Sequence, residues 1–418
     1  MSNLEKRKVP KRRFKEFENA PAWEQHKLGD LGEIKSGIGF PENEQGGKNG
    51  IPFYKVSDMN SPQNKIKMTV SNNYVSEKQI QNKKWHIISY IPSLIFAKIG
   101  AALTLDRKRL VEHPFLIDNN TMAYSLSNVW NKYFAITLFQ NIYLPKYMQV
   151  GALPSLGGTD IKMIKVLIPQ IEEQKQIGSF FNQLDTLITL QQRKLNKLNN
   201  LKKSYLAEMF PAEGERKPKR RFAGFTDDWE QRELGDNLKS IHTGTSLLGS
   251  DSNLGMPLLK MGNINRGYFS LNKIEFLRKD ANIDNLDLVK KGDFLFNTRN
   301  TLELVGKGAT WTGTSDNYAF NSNIARFTFK GIDTVFFNYL YNTESMIKQI
   351  HSRATGTTSV AAVYPRDIVS ISYLIPKLTE QKKIGCFFNQ LDNLITLHQR
   401  KIDKLKKLKD AYLNEMFV

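Results

Sequence analysis

Two stretches of the chain carry a hydrophobic pattern that strands do not produce. Over residues 173–210, apolar side chains fall at Ile177, Phe181, Leu184, Ile188, Leu195, Leu198, Tyr205 and Met209. This 3/4 alternation predicts a helix buried along one seam. It returns over residues 380–417 at Ile384, Phe388, Leu391, Ile395, Ile402, Leu405, Tyr412 and Met416. Polar residues interrupt the seam at Gln191 and Lys202, and at His398 and Lys409. Pro169 and Pro376 stand just before the two stretches, where proline is tolerated, and Pro211 ends the first. At about 1.5 Å per residue, such a helix spans roughly 57 Å. That is too long for one domain to cover, so each stripe needs a similar stripe as its mate. The order domain, helix, domain, helix then predicts two similar globular domains separated by two long antiparallel coiled-coil helices, related by a pseudo-two-fold axis.

The two stretches are also copies. At an offset of 207 residues, 27 of 38 positions are identical. A shorter echo opens each half. Arg12-Arg13-Phe14 returns as Arg220-Arg221-Phe222, and Trp23-Glu24-Gln25 with Leu28-Gly29-Asp30 returns as Trp229-Glu230-Gln231 with Leu234-Gly235-Asp236. Between these ends the halves drift apart, leaving traces at 51–55 against 256–260 and at 119–123 against 321–325. An internal repeat of this kind marks one template used twice. The segmentation is therefore a basic N-terminal segment (1–22), a first variable domain (23–170), a first helix (171–210), a linker (211–222), a second variable domain (223–376) and a second helix (377–418).

The variable domains read as mixed α/β (α+β). Strand-length runs such as Ile87–Tyr90 and Phe294–Phe296 are bounded by Gly, Pro, Asn and Asp, and Tyr133–Phe139 and Val335–Tyr341 read as aromatic-rich helices.

Charge changes the picture. The 418 residues hold 60 Lys and Arg against 41 Asp and Glu, a net charge of +19, with 40% hydrophobic residues. That is a folded protein with a surplus suited to a polyanion. The single cysteine, Cys386, excludes a disulfide framework and a cysteine metal site. No signal peptide or membrane span is read, so a cytoplasmic location is expected. No P-loop, HExxH or amino-methyltransferase tetrapeptide occurs. No catalytic residue, metal ligand or cofactor site is therefore assigned.

Base edges are read by Arg or Lys on guanine and Asn or Gln on adenine, while Ser, Thr and backbone N–H groups hold phosphates. Loops with that chemistry give candidate DNA contacts. In the first domain they are Ser36, Tyr54, Lys55, Ser57, Lys98, Arg107, Lys108 and Arg109. In the second they are Thr243, Lys260, Asn263, Arg266, Thr298, Arg299, Asn300 and Lys307. Small-residue runs before each helix, 151–159 and 355–359, are either DNA-facing or connectors. Apolar residues off the helical seam, Phe180, Leu187, Leu190, Leu201 and Leu206 with Phe387, Leu394 and Leu397, make the stripe wider than two strands need. They are candidate contacts for partner proteins, or for the chain's own domains.

Two variable domains alternating with two near-identical helices, each helix opening with Pro followed by Glu-Gln-Lys-Gln/Lys-Ile (Pro169 with Glu173–Ile177, Pro376 with Glu380–Ile384), resemble the specificity subunit of type I restriction-modification enzymes. The resemblance runs from Arg12 onward. It implies that each domain recognises one half of a split target in double-stranded DNA, and that the helices act as a ruler for the gap. It further implies docking of two modification (methyltransferase) subunits, and through them of ATP-driven restriction subunits. S-adenosylmethionine, ATP and Mg would sit in those partners. The rival readings are a basic interaction scaffold without sequence-specific DNA reading, and an enzyme whose site carries no recognised motif.

Overall fold

The computed structural model describes residues 8–149, 154–252 and 254–418. The chain divides into two compact units. Unit 1 takes the chain up to Gln191 together with Lys401–Val418, and unit 2 takes Gln192–Arg400. The final turns of the second helix thus belong to the first unit's core, where Met416 and Phe417 are buried. Among the described residues, no helix is long and apolar enough to cross a membrane.

Each unit repeats one topology. In unit 1, a four-stranded antiparallel sheet runs Gly32–Ser36, Thr121–Leu126, Ser93–Ala97, Lys108–Val111. A three-stranded sheet places Ile51–Tyr54 between Tyr74–Val75 and Leu116–Ile117. In unit 2, the four-stranded sheet runs Leu238–Thr243, Ile324–Phe329, Phe294–Asn297, Gly308–Thr310, and Pro257–Leu259 lies between Glu275–Phe276 and Ala319–Phe320. The expected strand Phe294–Phe296 is present. Ile87–Tyr90 is not a strand. Only Ile88 makes a bridge, to Phe115, and the chain enters the sheet at Ser93 instead. The aromatic runs do form helices, Lys132–Asn141 and Thr334–Tyr341, capped at their N-termini by Asn131 and Asp333.

The repeated opening motif is the clamp between each domain and its helices. Glu24–Lys27 pairs with Lys165–Ile168, and Glu230–Glu233 with Ser372–Ile375. Trp23 is buried edge-on to Phe134 and Phe417, as Trp229 is to Phe336 and Phe210. Arg13 grips the buried Glu173 with two nitrogens at 2.8 and 2.5 Å, and Arg221 grips Glu380 at 2.7 and 2.8 Å.

The long helices span Ile171–Met209 and Leu378–Met416. Within each unit, two segments of them pack antiparallel. In unit 1, Phe180 meets Tyr412 and Phe181 meets Phe417. In unit 2, Tyr205 meets Phe387 and Phe210 meets Phe388. The polar seam breaks are partnered: Lys409 Nζ lies 2.7 Å from Asp185 in unit 1, and Lys202 Nζ lies 2.5 Å from Asp392 in unit 2.

Candidate nucleic-acid interface

In unit 1, four strands finish and two begin at the same end of the sheets. The register pairs Ser36 with Met122, Ala97 with Thr121 and Phe96 with Lys108. Asp118 N donates to Tyr54 O at 3.0 Å, bringing the end of Ile51–Tyr54 to the same place. Unit 2 does likewise, with Thr243 opposite Ala325, Asn297 opposite Ile324 and Phe296 opposite Gly308. There Asn321 N donates to Leu259 O at 3.0 Å. A glycine lets the chain turn at each of these ends. A Cβ on Gly37 would lie 1.8 Å from the Asp118 carbonyl oxygen, and one on Gly244 would lie 1.9 Å from that of Phe320.

Candidates scattered over some seventy residues of each half therefore converge. In unit 1, Ser36 closes its strand, Ser57 lies in the short 3-10 helix Val56–Asn60, and Lys55, Lys98 and Arg107 sit in the connections at this end. Lys98 Nζ donates to Ser36 Oγ, and Arg107 donates to Asn60 Oδ1. Ser57 is exposed. Lys55 is half-buried, with its Nζ 3.0 Å from Gln45 Oε1. In unit 2, Thr243 and Arg299 are exposed. Asn300 and Lys307 flank the same loop, and Lys307 Nζ reaches Asn265 Oδ1 at 3.4 Å. Lys260, aligned with Lys55, lies 2.6 Å from Glu275. Arg299 forms no ion pair or side-chain hydrogen bond with any described residue, so its charge is available to a ligand.

Several candidates serve the fold instead. Lys108 is not in a loop. It opens a strand, is 1% exposed, and its Nζ donates to Ile142 O at 2.7 Å beside Asp106. Burial pulls its pKa below the usual lysine range, with Asp106 opposing. Tyr54 is buried, its hydroxyl 2.8 Å from His113 Nε2, and burial raises its pKa. Asn263 is buried and accepts from Lys260 N at 2.8 Å, as Asp58 does from Lys55 N at 2.7 Å. Each closes a turn rather than facing outward. Thr298 is buried, and its hydroxyl donates to Asn323 O. Arg109 is half-buried, donating to the Lys108 and Met59 carbonyls, with its pKa lowered to about 10 by burial and then by Arg107. Arg266 stands 3.0 Å from His351 Nε2, and burial lowers its pKa.

Among the apolar candidates, Phe180 packs on Phe14 and Tyr412, and Phe387 on Tyr205 and Phe222. Leu206 packs partly buried on unit 2's core. Those three contact the chain itself. Leu187 and Leu190 in unit 1, and Leu201, Leu394 and Leu397 in unit 2, are 41–46% exposed. Leu408, 41% exposed in unit 1, is a further member that the repeat offset from Leu201 identifies. Among the described residues no group of three or more His, Cys, Asp or Glu side chains is placed to hold a metal ion.

A duplicated α+β fold whose basic, hydroxyl-bearing loops gather at one sheet end in each copy is the build of a binding protein for an extended polyanion. The family model of the type I restriction modification DNA specificity domain matches the chain twice, over residues 21–200 and 226–407. The chain belongs to that family. A Methanocaldococcus jannaschii protein described as a type I restriction enzyme MjaX specificity subunit is 25% identical over 94% of this chain and 92% of its own length. The type I restriction enzyme MjaVIII specificity subunit of the same organism is 25% identical over 65% of each chain. The fold matches the S subunit of a type I restriction-modification system from M. genitalium with a TM-score of 0.63, at 12% identity over 98% of this chain and 99% of that one.

Proposed function

We propose that each unit reads one half of a bipartite target in double-stranded DNA, using the loops gathered at its sheet end. The observation that carries this is the bond from Lys98 to Ser36 at the end of the four-stranded sheet in unit 1, with Thr243 at the matching strand end in unit 2 and the exposed Arg299 two residues beyond the neighbouring strand end Asn297. Phosphate contacts supply affinity and base edges supply sequence, and these residues offer both chemistries. The helices set the gap between the half-sites. Their exposed leucines dock two modification subunits, and restriction subunits join through those. The chain itself is non-catalytic. S-adenosylmethionine, ATP and Mg act in the partners, in the cytoplasm beside the DNA.

The test is sequencing of methylated adenines in DNA exposed to this chain plus its modification subunit, with each protein alone as control. A split motif methylated only by the pair is the expected result. Methylation by this chain alone would overturn the non-catalytic assignment. DNA binding that ignores sequence, or that does not weaken steeply with salt, would favour a basic scaffold.

A further inference from the structure

The small-residue run before the second helix is read from sequence as either a connector or a DNA-facing element. In unit 2 the run is more than a simple connector, because it forms paired strands. Thr355–Gly356 pairs antiparallel with Ala361–Ala362, which in turn pairs with Arg299–Asn300. The run is therefore a hairpin laid beside the strand that carries the exposed Arg299, at the sheet end where the candidate loops meet. Unit 1 has the same pairing in single bridges, Gln149 to Ser155 and Ile99 to Ser155. Residues 150–153, between Gln149 and Ser155, lie outside the described residues.

The unit 2 hairpin is built to meet a partner. Residues 355–360 are all exposed. The tip is held by its own bonds: Thr357 N donates to Val360 O at 2.9 Å, and Val360 N to Thr357 Oγ1 at 3.2 Å. Gly356 is required there, at φ +123°, where a Cβ would lie 2.4 Å from Val360 O. Leu302 N donates to Thr358 O at 3.1 Å, tying a second loop to the tip. Val360 is 66% exposed and Leu302 39%, so two apolar side chains stand in solvent beside three hydroxyls. Of the cations near its base, Lys348 and Arg366 pair with Glu344 and Asp367, while Arg353 forms no ion pair with any described residue and donates to the Gln349 and Ser370 carbonyls.

A preformed hairpin with a hydroxyl tip, apolar flanks and a cationic base matches the DNA major groove. That groove admits a β-ribbon and presents base-edge donors and acceptors beside the thymine methyl. We infer that the hairpin Thr355–Ala362 enters the major groove of the half-site read by unit 2 and fixes its sequence. Thr357, Thr358 and Ser359 face base edges, Val360 and Leu302 meet thymine methyls, and Arg299 anchors the ribbon. The inference rests on the DNA-reading function proposed above.

The full-length chain is incubated with a randomised duplex library, and the selected sequences are compared with those of Thr358→Ala, Val360→Ser and Leu302→Ser. The expected result is a bipartite wild-type motif. The variants relax preference about tenfold at positions of one half only, with the slope of affinity against salt unchanged because phosphate contacts remain. Variants that select the wild-type motif at every position overturn the hairpin's role. A wild-type chain that selects no motif overturns the DNA reading itself, and the hairpin with it. Photo-cross-linking of the unaltered chain to bromodeoxyuridine duplexes of the selected sequence gives a second reading that needs no variant. Cross-links at 355–362 or Leu302 support the role, and cross-links confined to other segments overturn it.

Discussion

Residues of one chemical type divide here by burial. Arg12 and Arg13 are neighbours, yet Arg12 pairs with Glu415 in solvent while Arg13 holds Glu173 with both side chains almost fully buried. Exposed pairs contribute roughly 0–1 kcal/mol, whereas stripping one partner from a buried pair costs about 3–5 kcal/mol. Arg13→Ala is therefore expected to lower stability several-fold more than Arg12→Ala in parallel denaturant titrations. Equal losses would count against the clamp. Unit 1 also carries a titration. Burial first, and the Lys67 charge second, hold the His113 imidazole below its ordinary 6.5. Because the folded pKa is lowered, the unfolded chain takes up the proton first. Stability is whole above about 6.5 and is lost as pH falls from there through the folded pKa. His113→Gln is expected to flatten that part of the curve for unit 1, and an unchanged pH profile would assign the slope elsewhere. At this scale sequence reading was least secure. Lys108 and Arg299 look alike as basic residues between polar neighbours. Whether a cation faces solvent depends on strand register, and one position of register exchanges the two faces of a strand.

At the scale of elements, the long helices were fully legible. Their seam, their breaks and their mutual copying are local or periodic facts, and the seam residues are buried or half-buried as the period requires. Off the seam, the period says only that a side chain points elsewhere. Phe180, Leu206 and Phe387 are absorbed by the chain's own packing, while the five leucines and Leu408 stay exposed. For Leu187→Glu with Leu394→Glu, the expected outcome is thermal stability within about 0.5 kcal/mol of the parent, as for ordinary surface changes, together with loss of co-purification of the modification subunit. Retained co-purification would remove these residues from the docking surface. The hairpin Thr355–Ala362 shows the opposite limit. Its strands are two residues long, too short for alternation to reveal, and its partner strand lies more than fifty residues away.

For the whole molecule, the duplication makes a direct statement. The variable parts share a topology and differ in surface, while the clamp residues Arg13, Trp23 and Glu173 recur as Arg221, Trp229 and Glu380 with the same ion pair and the same buried rings. A module held by invariant contacts can exchange its reading loops without disturbing its seat. Replacing residues 39–149 with the matching region of a relative should change one half of the methylated motif and leave the other intact, read by sequencing methylated adenines. A change in both halves would mean that the units do not read independently.

The sequence by itself determined the repeat, the helices with their polar breaks, the mixed domains and the cationic surplus, because each is written in periodicity, identity or composition. Only the tertiary structure decided which basic and hydroxyl residues share a surface. That grouping arises from hydrogen-bonded register between strands far apart in the chain, and from glycines that let Gly37 and Gly244 pass within contact of a neighbouring backbone. Neither is a property of any local stretch of residues.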